Sequence, residues 1–304
     1  MKIKAILLSA LFLFGTNFLF AQQNSFKKLD GSSISFTDAD SVISQLMRDG
    51  KVMGMGIAVL NDNKPVYIKV FGLKNSRSKE LLDTATVMYA ASLAKAVFAF
   101  TVMNLVQDSI LNLDKPLYQY LDKPLPEYDK YKDLATDDRW KLITARMCLS
   151  HTTGFPNWRF LNAHTANYEK NGKLAIYFTP GSRYAYSGEG MELLQLVVEK
   201  VTGKGLQQLA AEKVFGPAGM TRTAFVWQSQ FENDYADGHN ENGKVLVMNK
   251  RTHADAAGSM VTTVADYARF VTYVMQGKGL NKTTRETMLS PRQVSDLEKF
   301  ERHK

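Results

Sequence analysis

Residues 88–100 read MYAASLAKAVFAF. One serine, Ser92, and one lysine, Lys95, stand three residues apart among mostly small and apolar neighbours. A lysine in such a run carries a desolvation cost unless it has a partner. From Ser92 to about Gln107 the pattern predicts a helix. Leu93, Ala94, Ala96, Val97, Phe98, Ala99 and Phe100 make it apolar on every side, as in a buried helix. Three residues is close to one turn, so amine and hydroxyl share a side. Burial favours the neutral amine, and a neutral amine beside a hydroxyl activates a poor nucleophile. The helix start adds unpaired N–H groups that favour developing negative charge. The competing reading is a lysine snorkelling from the end of a core helix, with Ser92 as its cap.

Spacing alone does not separate these readings. Ser-x-x-Lys occurs three times: Ser25–Lys28, Ser76–Lys79 and Ser92–Lys95. The first two lie in polar, irregular stretches. Their lysines are expected to be solvated and protonated, and so unable to accept a proton from serine.

On the N-terminal side, residues 37–50 carry Val42, Ile43, Leu46 and Met47 at helical spacing, and Gly50 ends the run. Two β-type runs then flank NDNK, which predicts an antiparallel hairpin from about 56 to 72. On the C-terminal side the chain turns mainly helical over 108–277. Three prolines mark an extended connector after the 92–107 helix. Short helices are expected over 142–149 and 206–214, and an amphipathic one over 191–203. A last helix is capped near Thr263 and closed by Gly277. The order indicates an α+β fold, an antiparallel sheet flanked by helices plus a helical region. A lone hairpin does not make a stable sheet. The end of the chain should supply further strands, yet the residues after Pro291 are polar and helix-prone.

The remaining features bound the function. The 304 residues are 45% hydrophobic and 22% charged, enough for a core without disulfides. Lys2 and Lys4, an apolar run from Ala5 to Phe20 and the small Ala21 predict a cleaved signal peptide over 1–21. The expected protein over 22–304 is therefore periplasmic or secreted, with no stable membrane span. The net charge of +8 is mild and no Lys/Arg block interleaves with aromatics, which argues against nucleic acid as a partner. Cys148 is the only cysteine and sits in an apolar run. The five histidines show no zinc spacing, and no Gly-x-Ser-x-Gly elbow occurs. His151 lies in a turn-rich loop, as a catalytic or a loop-stabilising residue. The tyrosines of RYAYSGEG precede a helix, where a hydroxyl could relay a proton or simply pack.

Taken in order, these blocks resemble the serine β-lactamase-related hydrolases, the branch with class C β-lactamases, D-alanyl-D-alanine carboxypeptidases and related esterases. GIAVLNDNKPVYIKVFGLKN resembles the opening hairpin, and MYAASLAKAVFAF the nucleophile block. ITARMCLSHTTGF is similar to the Leu-Leu-Ser-His-Thr-Ser-Gly-Leu loop. TPGSRYAYSGEG and its following helices resemble the Tyr-x-Asn block. DAAGSMVTTVADYARFV resembles the later small-residue turn and helix. The resemblance implies a β-lactamase/transpeptidase-like fold and acyl transfer through an acyl-enzyme, with no metal or organic cofactor. Ser92 would be the nucleophile, Lys95 its activating amine and Tyr186 a general base or relay. Ser187, Gly188 and His151 are the candidate substrate-binding residues. Two departures stand out. Gly188 replaces the motif's asparagine, which tilts the reading from β-lactam toward ester or D-amino peptide substrates. The family's third motif, Lys/His-Thr/Ser-Gly on a strand, is missing, so the domain is expected to be truncated at its C-terminus. The alternative is a non-catalytic member that binds cell-wall peptide or another ligand. The sequence leaves the oligomeric state open.

Overall fold

A computed structural model of the chain describes residues 24–161 and 167–290. The leader expected over 1–21 and the tail after Pro291 lie outside the described residues, as does His164. Strands β1 (Ser25–Lys27) and β2 (Ser33–Ser35) pair and lead into α1 (Phe36–Asp49). The Ser35 hydroxyl accepts from the Asp38 N–H and starts that helix. Strands β3 (Gly54–Asn61) and β4 (Lys64–Asn75) form the expected hairpin, Gly54 opposite Gly72. Asp62 and Asn63 at its tip both have positive φ, 49° and 59°. That is the turn whose twist suits a two-residue hairpin, and Asp and Asn tolerate it best after glycine. Strand β5 (Glu80–Leu81) adds a third member on the β4 side. Among the described residues no strand pairs with the other edge of β3.

Strand β6 (Met88–Tyr89) leads to a 3₁₀ turn, Ala91–Leu93, and then α2 (Ala94–Gln107). The helix is buried through most of its length. Val97, Phe98 and Val102 have no exposed surface, and burying a side chain of this kind contributes about 1.5–3 kcal/mol. Two of its three buried polar residues are satisfied within the helix: Thr101 donates to the Val97 carbonyl and Asn104 to the Phe100 carbonyl. The connector after α2 folds into successive 3₁₀ turns between Leu117 and Leu142 rather than running extended. Prolines 116 and 124 precede two of them, preset for a turn and without an N–H to sustain an α-helix. Helix α3 (Ala145–Leu149) follows, shorter than the expected 142–149.

Helix α4 (Gly188–Thr202) packs across α3 and ends at Gly203, whose φ of 66° forms a left-handed cap. Helix α5 (Leu206–Ala210) widens into a π turn at Ala211–Phe215 and ends in α6 (Gly216–Ala218). A small hairpin, β7 (Gly238–His239) with β8 (Val245–Leu246), precedes β9 (Val261–Thr262). Helix α7 (Val264–Met275) is capped by Thr263, as its sequence predicts. It lies against β3, where Gly56 leaves room for Val264. Phe270 of α7 meets Phe100 of α2 edge-on at 5.9 Å, joining sheet and helical region. Helix α8 (Lys282–Leu289) follows where the fold argument wanted strands. The fold is α+β, with antiparallel sheets flanked by helices.

Candidate active site

Strand β9 sets the nucleophile in place. It pairs antiparallel with β6, Met88 opposite Thr262 and Tyr89 opposite Val261. Ala90 continues the ladder by donating to the Met260 carbonyl at 3.0 Å. The chain then bends sharply. Ala91 has φ 45°, an uncommon conformation for a residue with a Cβ. Leu93 N–H bonds back to the Ala90 carbonyl, closing the turn that carries Ser92. Ser92 is exposed, whereas Lys95, in the first turn of α2, is only 7% exposed.

The Lys95 Nζ donates to Ser92 Oγ at 3.1 Å and to the Ala257 carbonyl at 2.5 Å. It lies 4.8 Å from the centre of the Tyr186 ring. The amine is thus inside, held by one backbone oxygen and directed at the open hydroxyl. The snorkelling alternative fails on this geometry. The Ser92 hydroxyl makes no cap bond either, since neither the turn nor α2 has a side-chain cap.

Tyr186 is 39% exposed and faces the same pair. Burial pushes its phenol up. Polar interactions with the Ser92 hydroxyl and the Lys95 amine, together with the lysine charge, outweigh that and leave it below the usual tyrosine value. His151 packs against Tyr186 with ring centres 4.5 Å apart and planes tilted by 42°, and Tyr184 meets it edge-on at 6.0 Å. The histidine has φ 56°, a region where His is enriched among non-glycine residues. Its Nδ1 accepts the Ser187 N–H at 3.2 Å, which leaves the proton of the neutral ring on Nε2. Burial first, then the Lys95 charge, hold it down at about 4.

The other expected binding residues have different positions. Ser187 is fully buried. Its hydroxyl caps α4 by accepting from the Gly190 N–H at 2.9 Å and donates to the Pro156 carbonyl at 3.1 Å. The hydroxyl's proton is spent inside the fold, and the residue has no exposed surface. Gly188 lies at a close approach: a Cβ there would stand 2.6 Å from the Asn157 carbonyl oxygen. Glycine is what lets the 156–159 loop rest on the start of α4. Cys148 is fully buried, and burial raises its thiol well above the usual range, so it cannot serve as a nucleophile. Among the described residues no group of three or more His, Cys, Asp or Glu could hold a metal ion.

Sequence reasoning missed the Ala257 carbonyl. It is aimed by the turn at 254–259: Ala256 N–H donates to Gln195, Ala257 N–H to Asp255, and the Ser259 hydroxyl to the Phe225 carbonyl. The run DAAGS signals a tight turn, but the direction of one carbonyl leaves no trace in residue types.

Comparisons with known proteins bear on the family and the fold. In the curated proteins, the chain is 26% identical over 234 residues to "Esterase EstB" of Burkholderia gladioli, covering 70% of this chain and 57% of that protein. It is 22% identical over 221 residues to "Protein flp" of Staphylococcus aureus, covering 69% and 42%. The chain therefore spans about half the length of the curated relatives it matches. Among solved structures, the octameric penicillin-binding protein homologue from Pyrococcus abyssi superposes with TM-score 0.68 at 22% identity, covering 84% of this chain and 60% of that one. The D-alanine carboxypeptidase AmpC from Burkholderia cenocepacia gives 0.65 at 23%, covering 82% and 68%. Both share the fold. The family description "Beta-lactamase" matches residues 39–299. With five sequence blocks in order, a shared fold and that match over most of its length, the chain belongs to the beta-lactamase family.

Proposed function

We propose that the protein is a secreted or periplasmic serine hydrolase that works through an acyl-enzyme on Ser92, with an ester or D-amino peptide as substrate. The observation that carries this is the division of exposure within one turn: an open hydroxyl 3.1 Å from a buried amine. In the first step the Ser92 proton passes to Lys95 or to the Tyr186 oxygen, both of which face the hydroxyl. The lowered pKa of Tyr186 makes its phenolate more accessible than that of an ordinary tyrosine. Oγ bonds to the acyl carbon, and the carbonyl π electrons move to oxygen. The Ser92 N–H has no acceptor among the described residues and is free to hold that oxyanion. Collapse expels the leaving group, which takes up the proton. Water, deprotonated at the same pair, then cleaves the ester and regenerates Ser92.

The test is covalent labelling with a fluorescent fluorophosphonate or penicillin. The native protein should label, Ser92→Ala should not, and Ser76→Ala should label as the native protein does. A folded native protein that takes neither probe would favour the binding-protein reading.

A further inference from the structure

Gln195 lies two turns into α4, the helix that begins directly after Tyr186 and Ser187. Its carboxamide is spent on the turn that carries the Ala257 carbonyl. Nε2 donates to the Ala254 carbonyl at 2.9 Å, and Oε1 accepts the Ala256 N–H at 2.8 Å. Nε2 also donates to Glu199 Oε1 at 3.1 Å, one turn further along the helix. That carboxylate oxygen is itself held by the Leu206 N–H at 2.9 Å. Both amide protons and the amide oxygen are engaged, so the side chain has one orientation.

Most other bonds of this turn are local. Asp255 Oδ1 accepts the Ala257 N–H at 2.7 Å, and the Asp255 N–H donates to the Ser259 hydroxyl at 2.8 Å. The Asp255 carbonyl accepts the N–H groups of Gly258 and Ser259. Such bonds fix the shape of the turn and leave its place against α4 open. Gln195 sets that place. It grips residues 254 and 256, immediately before the carbonyl that takes Lys95 at 2.5 Å. One helix thus starts beside the phenol of Tyr186 and, two turns on, anchors the acceptor of the amine. With one N–H fixed on Ala257, the neutral amine can present its lone pair to the Ser92 proton.

We propose that Gln195 is a positioning residue for the acylation step: it holds the Ala257 carbonyl where that oxygen keeps the Lys95 amine turned to Ser92. It acts through the turn and not on the substrate. A misplacement of about 1 Å in a reacting group can cost about a hundredfold in rate. This rests on the hydrolase reading of Ser92.

Gln195→Met keeps the length and the helix and removes all three bonds. It should lower kcat for p-nitrophenyl acetate roughly ten- to a hundredfold, with KM changed less than about twofold. Active sites are counted by the endpoint of fluorophosphonate labelling, so unfolded protein does not enter the rate. Gln195→Leu is a second replacement and should behave alike. The deciding readout is a cycle with Lys95→Met, followed by the rate of labelling, which accumulates over hours and stays readable in a slow protein. In the Lys95→Met background there is no amine to aim, so Gln195→Met should change that rate less than about twofold. A purely structural glutamine would cost the same factor in both backgrounds. Equal factors, no loss in the native background, or a loss confined to KM or to the labelling endpoint overturns the proposal. A native protein that takes no label sinks the hydrolase reading and this proposal with it. A labelled native protein with any of those results sinks this proposal alone.

Discussion

Ser76–Lys79 and Ser92–Lys95 have identical spacing and opposite fates. In the first, the hydroxyl is committed to the fold: Ser76 Oγ donates to the Gly243 carbonyl at 2.9 Å. Its N–H donates to His239 Nε2 at 3.0 Å. Lys79 stands exposed in a turn, with φ 59°. In the second, the hydroxyl is open and the amine is withdrawn from water. Each has a histidine nearby that accepts a backbone N–H, so a neighbouring imidazole does not distinguish them. What differs is which partner faces solvent. Reactivity follows from an accessible nucleophile and a sheltered base, and the tetrad supplies only the distance between them.

That contrast is open to attack, most severely at the amines. Lys95→Met should lower kcat/KM for an ester by about 10³-fold, while Lys79→Met should change it less than about twofold. Methionine also removes a buried polar group, so melting of the Lys95→Met protein should be no lower than native. Equal losses for the two variants would erase the distinction. Next in size, Tyr186→Phe should cost about 10²-fold in kcat with little change in KM, since only the proton path is cut. A loss confined to KM would make the ring a substrate platform instead.

The smallest effect concerns stability. His151 is held at about 4 in the folded protein, against about 6.5 when unfolded. Between those values the unfolded chain binds more protons. The native contribution is therefore full above pH 6.5 and lost as pH falls toward 4. After allowance for solvent screening, this is about 1–2 kcal/mol at pH 4.5. Asn tolerates the positive φ at 151 and offers an acceptor to the Ser187 N–H, so His151→Asn should flatten the dependence. Urea unfolding at pH 4.5 and 7 measures it. An unchanged slope would mean that the imidazole already carries its proton in the folded state.

Much of the fold was legible from local chemistry. Thr263 capped the helix it was expected to cap, and Gly203 ended another. Asp62-Asn63 marked the hairpin tip. Each signal acts within a few residues, which is why it can be read. The site was half legible. Ser92, Lys95 and Tyr186 do converge, drawn from blocks some ninety residues apart that only the tertiary fold brings together. The connector from 108 was misread because 3₁₀ turns lack the periodicity that signals a helix. Ser187 looked like part of a recognition motif, but a serine before a helix is as readily a cap, and here both uses of its oxygen are internal. The Ala257 carbonyl carries no motif at all. Its value lies in its distance to a residue far away in sequence.

The bend at Ala91 has one more implication. A residue with a Cβ is kept in a left-handed twist by the ladder to Met260 on one side and by the turn to Leu93 on the other. Clamped from both directions, the backbone that carries the neighbouring oxygen keeps its place between the arrival of an acyl group and its departure. Water must then come to a stationary target, and the pace of turnover would be set by how it finds a way in.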